Sequence, residues 1–292
     1  MSSRSFPTSS SPSRRTIVKG AAWSVPVIMT AAAAPAFAAS PSSCRTAYLD
    51  WGTATSTKLT NGTVYTITGT QTVYAQVTYT GSAGAYSTSS NSTANYQLRI
   101  GKRAFGEVGQ SWGRITVSDY GIATTGGYND LILNQKSGSG ATTVTIKFFS
   151  DAALTKPVYV NDLQVPLDDF STQRTFPGLT FDPTVSYQEE WSVSGTSTSG
   201  SITPTKTALT SPYNGTSTLA NVAGSGTLAA PWYFPTSLTN TSRNQVGGNL
   251  QTRFSQPVSS VTVTYGSSSS MSGPQGAGLG RLTMCEALSP TA

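Results

Sequence analysis

The chain contains no histidine. That absence excludes Ser-His-Asp and Cys-His nucleophile systems, whose general base is an imidazole, and most zinc and non-haem iron sites. Charge is scarce too: Asp, Glu, Lys and Arg make up 10% of the 292 residues, and only 12 residues are acidic. Cysteine is limited to Cys44 and Cys285, one towards each end. No uninterrupted apolar run reaches the ~20 residues of a spanning helix; the one candidate, from Gly20 to Ala34, is Ala-rich and broken by Pro26. A phosphate-binding loop is missing as well, because "GAGLG" leads into a predicted strand and carries no lysine.

What stands at the N-terminus reads as an address. The first 19 residues are Ser-rich and basic with no acid, an uncharged stretch follows, and "APAFAAS" presents the small residues Ala36 and Ala38 to a signal peptidase. "SRRTIVK" matches the twin-arginine export pattern through Arg14 and Arg15, with Ile17 where phenylalanine is commonest. An ordinary secretory signal that happens to carry two arginines is the alternative. Residues 1–38 are therefore expected to be removed, leaving 39–292 as a single domain. Cys44 follows "SPSS" rather than a lipobox, and the chain ends "CEALSPTA" without a sortase motif. The expectation is a secreted, extracellular protein, at most loosely associated with the cell wall.

Loss of Arg4, Arg14, Arg15 and Lys19 lowers the formal charge from +6 to +2. The remaining cations are thinly spread, which argues against nucleic acid as a partner. In an oxidising compartment the two cysteines read most economically as one disulfide joining the first and last strands. Closing a loop of about 240 residues removes denatured-state entropy worth roughly 5 kcal/mol. Unpaired thiols, or pairing between chains, are the alternatives.

Period-2 alternation recurs beyond the signal. "TVYAQVTYT" sets Val73, Ala75, Val77 and Tyr79 on one face; "TTVTIKFF" aligns Val144, Ile146 and Phe148; "VSSVTVTYG" aligns Val261, Val263 and Tyr265 against Thr262 and Thr264. Weaker strands are predicted at "AYLDW", "VYTIT", "YQLRI", "RITV", "DLILN", "PVYV", "YQEEWSV", "LQTRF" and "RLTMC". Turn formers such as "TNGT", "SGSG" and "YNGT" separate them. About a dozen strands with Gly and Ser connections predict an all-β fold, an antiparallel β-sandwich of jelly-roll type.

Four landmarks occur in order: "YLDWGTA", "TTVTIKFFSDAALTKPVYVNDLQVPLDD", "YQEEWSVSG" and "FSQPVSSVTVTYGSSSSMSGPQGAGLGRLTMC". In these the chain resembles a loosely defined family of secreted bacterial cell-surface β-sandwich domains. The resemblance covers most of the chain after the signal and implies an extracellular sandwich, not a reaction. Asp162-Leu163-Gln164 departs from it, since the family more often has a second Asp there.

Chemistry without histidine leaves carboxylate pairs. Glu189 and Glu190 are adjacent on a predicted strand and point to opposite faces; Asp168 and Asp169 fall in a predicted loop; Asp182 precedes a proline and reads as a turn residue. "NDLQVPLDD" gathers Asn161, Asp162, Asp168 and Asp169, hard oxygen donors suited to a structural Ca2+, although the spacing is not that of a dedicated calcium loop and a solvated acidic turn is the simpler reading. "PWYFP" holds Trp232, Tyr233 and Phe234 between prolines. Exposed, these rings would stack on sugars; turned inward, they would cap the core. The N-x-[ST] triplets at Asn61, Asn91, Asn214 and Asn240 read as turns. The expected function is a non-catalytic structural or adhesive role at or outside the cell surface, with envelope glycans or other surface proteins as partners. An extracellular glycan-binding module is the alternative, and a carboxylate-dependent carbohydrate-active enzyme a further one.

Overall fold

The computed structural model describes residues 45–52, 57–69, 71–81, 98–101, 111–112, 115–116, 129–135, 141–173, 187–212, 217–240, 245–267 and 275–290. Arg14, Arg15, Ala36, Ala38 and Cys44 lie outside these, as do Asp182, Asn91 and Asn214. The strands are β1 (Thr46–Leu49), β2 (Thr57–Lys58), β3 (Thr63–Ile67), β4 (Val73–Gly81), β5 (Leu98–Gly101), β6 (Ser111–Trp112), β7 (Ile115–Thr116), β8 (Asp130–Gln135) and β9 (Ala141–Phe149). They continue as β10 (Val158–Gln173), β11 (Tyr187–Ser197), β12 (Gly200–Ile202), β13 (Thr205–Thr210), β14 (Gln245–Arg253), β15 (Ser260–Ser267), β16 (Gln275–Leu279) and β17 (Leu282–Pro290). Among the described residues helix is confined to two single 3-10 turns, Leu219–Asn221 and Thr236–Leu238. None of these is long and apolar enough to cross a membrane.

The fold is all-β and antiparallel. Fifteen strands form one connected sheet whose main path runs β2-β5-β8-β16-β10-β11-β15-β9-β4-β3. From it β14 branches off β10 and carries β13, β17 branches off β10 and carries β1, and β12 pairs with β11. Strands β6 and β7 form a separate two-stranded ladder. The first and last strands of the main sheet are neighbours: β1 lies against β17 with Thr46 opposite Cys285 and Leu49 opposite Leu282. A buried hydrogen bond from the Trp51 indole N–H to the Gly280 carbonyl, 3.0 Å long, locks this pairing just beyond its end.

The long strands β4, β9 and β15 form because valine, isoleucine, threonine and tyrosine alternate on a pleated, half-buried surface. Val77, Ile146 and Val261 are all fully buried, and the register places Ile146 opposite both Val77 and Val261. Trp191 and Val193 of β11 continue the row of inward side chains, opposite Tyr265 and Val263. One continuous hydrophobic cluster joins these to Leu131, Val165, Leu167, Phe170, Leu250 and Leu279 of the other strands. Each fully buried Val, Leu, Ile or Phe contributes about 1.5–3 kcal/mol of transfer free energy, so this cluster drives folding.

Strand β10 departs from the sequence-based expectation. "NDLQVPLDD" is not a loop but the middle of a sixteen-residue strand. The strand is bulged twice. Against β17, Asn161 pairs with Cys285 and Gln164 with Thr283, so Asp162 and Leu163 share one opposing residue. Against β14, Leu167 pairs with Leu250 and Phe170 with Gly248, so Asp168 and Asp169 face Asn249 alone. In each bulge one residue takes a left-handed conformation, Asp162 at φ 53° and Asp169 at φ 59°. Aspartate is among the few non-glycine residues that tolerate this region, which is why the acids sit where the strand kinks. Pro166 is accommodated between the bulges, its carbonyl accepting from Gly280 N–H at 3.0 Å.

Candidate functional site

The four oxygen donors of "NDLQVPLDD" are not gathered at one point. Asn161 and Asp162 belong to the first bulge, Asp168 and Asp169 to the second, and the six extended residues from Asp162 to Asp168 span roughly 20 Å. A calcium ion needs its oxygens within about 2.6 Å, so these residues do not form one cage. Asp162 instead pairs with the Arg253 guanidinium at the surface. Asp168 is fully buried, and the Asp169 backbone N–H donates to Asn249 Oδ1 at 3.1 Å. No group of three or more Cys, Asp or Glu able to hold a metal occurs among the described residues.

The aromatic trio is turned inward. Trp232 is 2% and Phe234 0% exposed, and only Tyr233 is half-buried. Trp232 exchanges two backbone hydrogen bonds with Trp191 of β11, at 2.8 and 3.0 Å. Phe234 packs its ring on Phe170 at 4.9 Å between centroids, and its carbonyl accepts from Thr172 Oγ1 and Gln188 Nε2. Gly226, at φ +80°, lies so close beneath Trp232 that a Cβ there would meet the indole at 2.3 Å. The segment therefore caps the core, the inward of the two readings open to it, and Trp232 and Phe234 present no stacking face to solvent.

Cys285 is buried, at 4% exposure, on β17. Its expected partner Cys44 stands two residues before Thr46, the residue opposite Cys285, but lies outside the described residues. Asn61 does sit in the expected Asn-Gly turn: Gly62 takes φ +87°, and Asn61 Oδ1 accepts from Tyr79 N–H at 2.9 Å.

Two arrangements emerge that residue spacing alone does not single out. The first is a buried polar cluster where β10 meets β11, opposite Gln188 and Tyr187. Glu189 is 1% exposed. Its Oε2 accepts from Ser171 N–H at 2.6 Å and from Ser171 Oγ at 3.3 Å, and its Oε1 lies 2.9 Å from the Tyr265 hydroxyl. Tyr187 Oη contacts Ser171 Oγ at 3.0 Å and accepts from Gln245 Nε2 at 2.9 Å. Burial, reinforced by the negative field of Asp169, pushes the Glu189 carboxyl well above the usual carboxylate range, against the pull of its hydrogen-bond donors. Burial, and then Glu189, raises both tyrosine hydroxyls in turn. A neutral carboxylic acid with satisfied oxygens is the state this site favours. The signal is present in the sequence: Tyr187, Glu189, Trp191 and Val193 share one parity, so an acid occupies an inward position.

The second arrangement covers the opposite, outward face of the regular strands. Thr80, Thr143 and Thr264 line up across β4, β9 and β15, and Thr78, Thr145 and Thr262 form the next row. Thr143 and Thr264 hydroxyls lie 3.0 Å apart, those of Thr145 and Thr262 3.2 Å apart, and Thr78 Oγ1 donates to the Thr145 carbonyl at 3.4 Å. Buried Ser192 and half-buried Ser194 of β11 lie opposite Thr264 and Thr262 at the end of the two rows, so the face closes off towards β11 at Ser192. Exposed Lys147 opposes half-buried Gln76 in the following row, and half-buried Tyr74 lies one step further along β4. Sequence reading locates the alternating threonines of β15, but the alignment of rows depends on cross-strand register, which a single strand does not encode.

No protein family, curated protein or solved structure matches this chain.

Proposed function

We propose that the chain is exported from the cell, with residues 1–38 as its address, and acts outside without catalysing a reaction, as a structural or adhesive component of the cell surface. In this reading the antiparallel strands close into a jelly-roll-type sandwich, and Cys44 bonds to Cys285. The neighbouring placement of β1 and β17 supports that bridge. The resemblance to secreted bacterial surface domains points the same way.

The observation that carries the adhesive reading is the outward face of β4, β9 and β15. Six threonines stand on it in two cross-strand rows, and two cross-strand pairs, Thr143 with Thr264 and Thr145 with Thr262, bring their hydroxyls together. A large, rigid, hydroxyl-bearing face suits contact with another surface rather than turnover of a substrate. The carboxylate-dependent enzyme finds little support by contrast, because Glu189 and Asp168 are closed off from solvent. The test is sedimentation of the purified chain with isolated cell envelopes from its source. Retention with the envelope pellet, reversible without detergent, is expected; a protein left wholly in the supernatant overturns the adhesive reading. Sequencing the N-terminus of the exported protein checks the address, with Ala39 as the expected first residue.

A further inference from the structure

Resting on that adhesive reading, we infer that the threonine-bearing face is a binding surface for a neutral polysaccharide, laid across β4, β9 and β15. Three features of the face select this chemistry. The first is neutrality. Along the two threonine rows no side chain is charged; Lys147 is a single cation one row away, and Glu190, half-buried on β11, lies beyond the opposite end. A polyanion needs several neutralising cations in line, and among the described residues this face offers one.

The second feature is hydrogen-bonding capacity held in fixed positions. A hydroxyl has one donor and two acceptor sites, so the Thr143–Thr264 contact uses one donor and one lone pair and leaves a donor and three lone pairs open. The Thr145–Thr262 pair keeps the same surplus. Threonine is stiff at χ1, and its place in a ladder restrains it further, so the open sites are pre-oriented at about 4.8 Å between strands and roughly 6.8 Å along them. A sugar chain offers hydroxyl donors and acceptors at short, regular intervals. An apolar partner would leave these hydroxyls unpaired, at a cost that disfavours it.

The third feature is the end of the face. Tyr74, on the same outward parity of β4 as Gln76 and Thr78, is half-buried, opposite Thr66 of β3. A tyrosine ring with amide and hydroxyl groups beside it matches a pyranose, whose C–H face is apolar and whose edge is polar. The sugar-binding role thus moves from Trp232 and Phe234, which the core absorbs, to Tyr74 and the threonine rows.

Affinity gel electrophoresis of the purified chain tests the inference, with soluble glucan, mannan and galactan as neutral probes and alginate and polyphosphate as charged ones. At least one neutral polysaccharide is expected to retard the protein, and the charged polymers are not. Thr145→Val with Thr262→Val preserves shape and β-branching while removing two hydroxyls, and is expected to weaken retardation on the order of tenfold. Tyr74→Ala is expected to weaken it by a similar factor, with far-ultraviolet circular dichroism and thermal melting confirming that each variant folds. Retardation by none of the neutral probes, preferential retardation by a polyanion, or full retention by both variants overturns the inference. Concentration-dependent self-association without any probe, abolished by the valine pair, reassigns the face to a second copy of the chain and overturns it too. Envelope sedimentation distinguishes the two levels: a protein that pellets with envelopes yet ignores every glycan loses this inference and keeps the adhesive role.

Discussion

Strands β15 and β10 solve the same problem in opposite ways. Strand β15 runs in unbroken register with β9 on one side and β11 on the other, and its threonines and valines divide cleanly between solvent and core. Strand β10 runs twice as long, is contacted by β11, β14, β16 and β17, and shifts register three times, at its own two bulges and against β17 between Tyr159 and Asn161. Between the bulges Val165, Pro166, Leu167 and Asp168 are all buried in succession, so both faces of the strand are covered there. A strand with one neighbour on each side keeps one phase; a strand that serves several partners along its length has to change phase. The acids of β10 belong to that change of phase.

The sharpest way to break the comparison is to force a β-branched residue into the second bulge. Asp169→Val places valine at φ 59°, a conformation it strongly resists, and removes any polar compensation. A loss of about 2 kcal/mol or more in urea unfolding is expected, whereas Asp169→Asn, which tolerates the left-handed region, stays within about 0.5 kcal/mol. Thr262→Val on β15 provides the control from the regular strand and also stays within about 0.5 kcal/mol. Equal losses for Asp169→Val and Thr262→Val would remove the distinction between the strands.

The same contrast explains which parts of the fold are legible in the order of residues alone. The alternation of β4, β9 and β15 reveals both their existence and their inward residues, Val77, Ile146 and Val263 among them, because phase is kept along each. Strands β1 and β8, and the opening of β17, are also marked by their apolar and β-branched content. In β10 only the opening "PVYV" is legible. Beyond it Asp162, Pro166, Asp168 and Asp169 carry every local mark of a turn, and their strand conformation is imposed by β14 and β17 alongside. The inward turn of "PWYFP" is one of two readings open to the sequence; only the contacts with Trp191 and Phe170 decide between them. The threonine rows are hidden for the related reason that they exist only between strands.

A second, smaller effect tests the buried acid beside β10. Glu189 is faced by Ser171 and Asp169 of β10, Tyr187 of its own strand and Tyr265 of β15, with Gln245 of β14 behind Tyr187. Its folded pKa is raised, so the folded chain keeps a proton that the unfolded chain releases near roughly pH 4.3, the value of an unperturbed glutamate. The contribution to stability is therefore complete below that pH and declines as pH rises towards the folded pKa, with a slope of at most about 1.4 kcal/mol per pH unit. Glu189→Gln keeps an acceptor for Ser171 N–H and a donor for Tyr265 and removes the titration. Urea unfolding of the variant between pH 4 and pH 8 is expected to lack this falling component and to match or exceed the wild type at neutral pH. A wild type that gains stability from Glu189 as pH rises, with the gain lost in the variant, would show the carboxyl to be ionised in the fold and reverse the assignment.

The smallest expected effect belongs to the regular strands. Thr143 and Thr264 stand directly opposite each other with hydroxyls 3.0 Å apart, and cross-strand pairs of this kind couple by roughly 0.2–1 kcal/mol. A double-mutant cycle with Thr143→Val and Thr264→Val isolates that term, because valine preserves the shape and β-propensity of each position. The expected coupling is near the lower end of the range, since water replaces each lost hydroxyl contact on a half-exposed face. That smallness is itself informative. A face kept in order mainly by backbone register and β-branched side chains gives up little folding stability when its hydroxyls are removed, so these threonines are free to serve contact with a partner rather than the fold. A coupling of several kcal/mol would mean instead that the hydroxyl rows are part of what holds β9 to β15, and the division of labour between the two sides of these strands would fail.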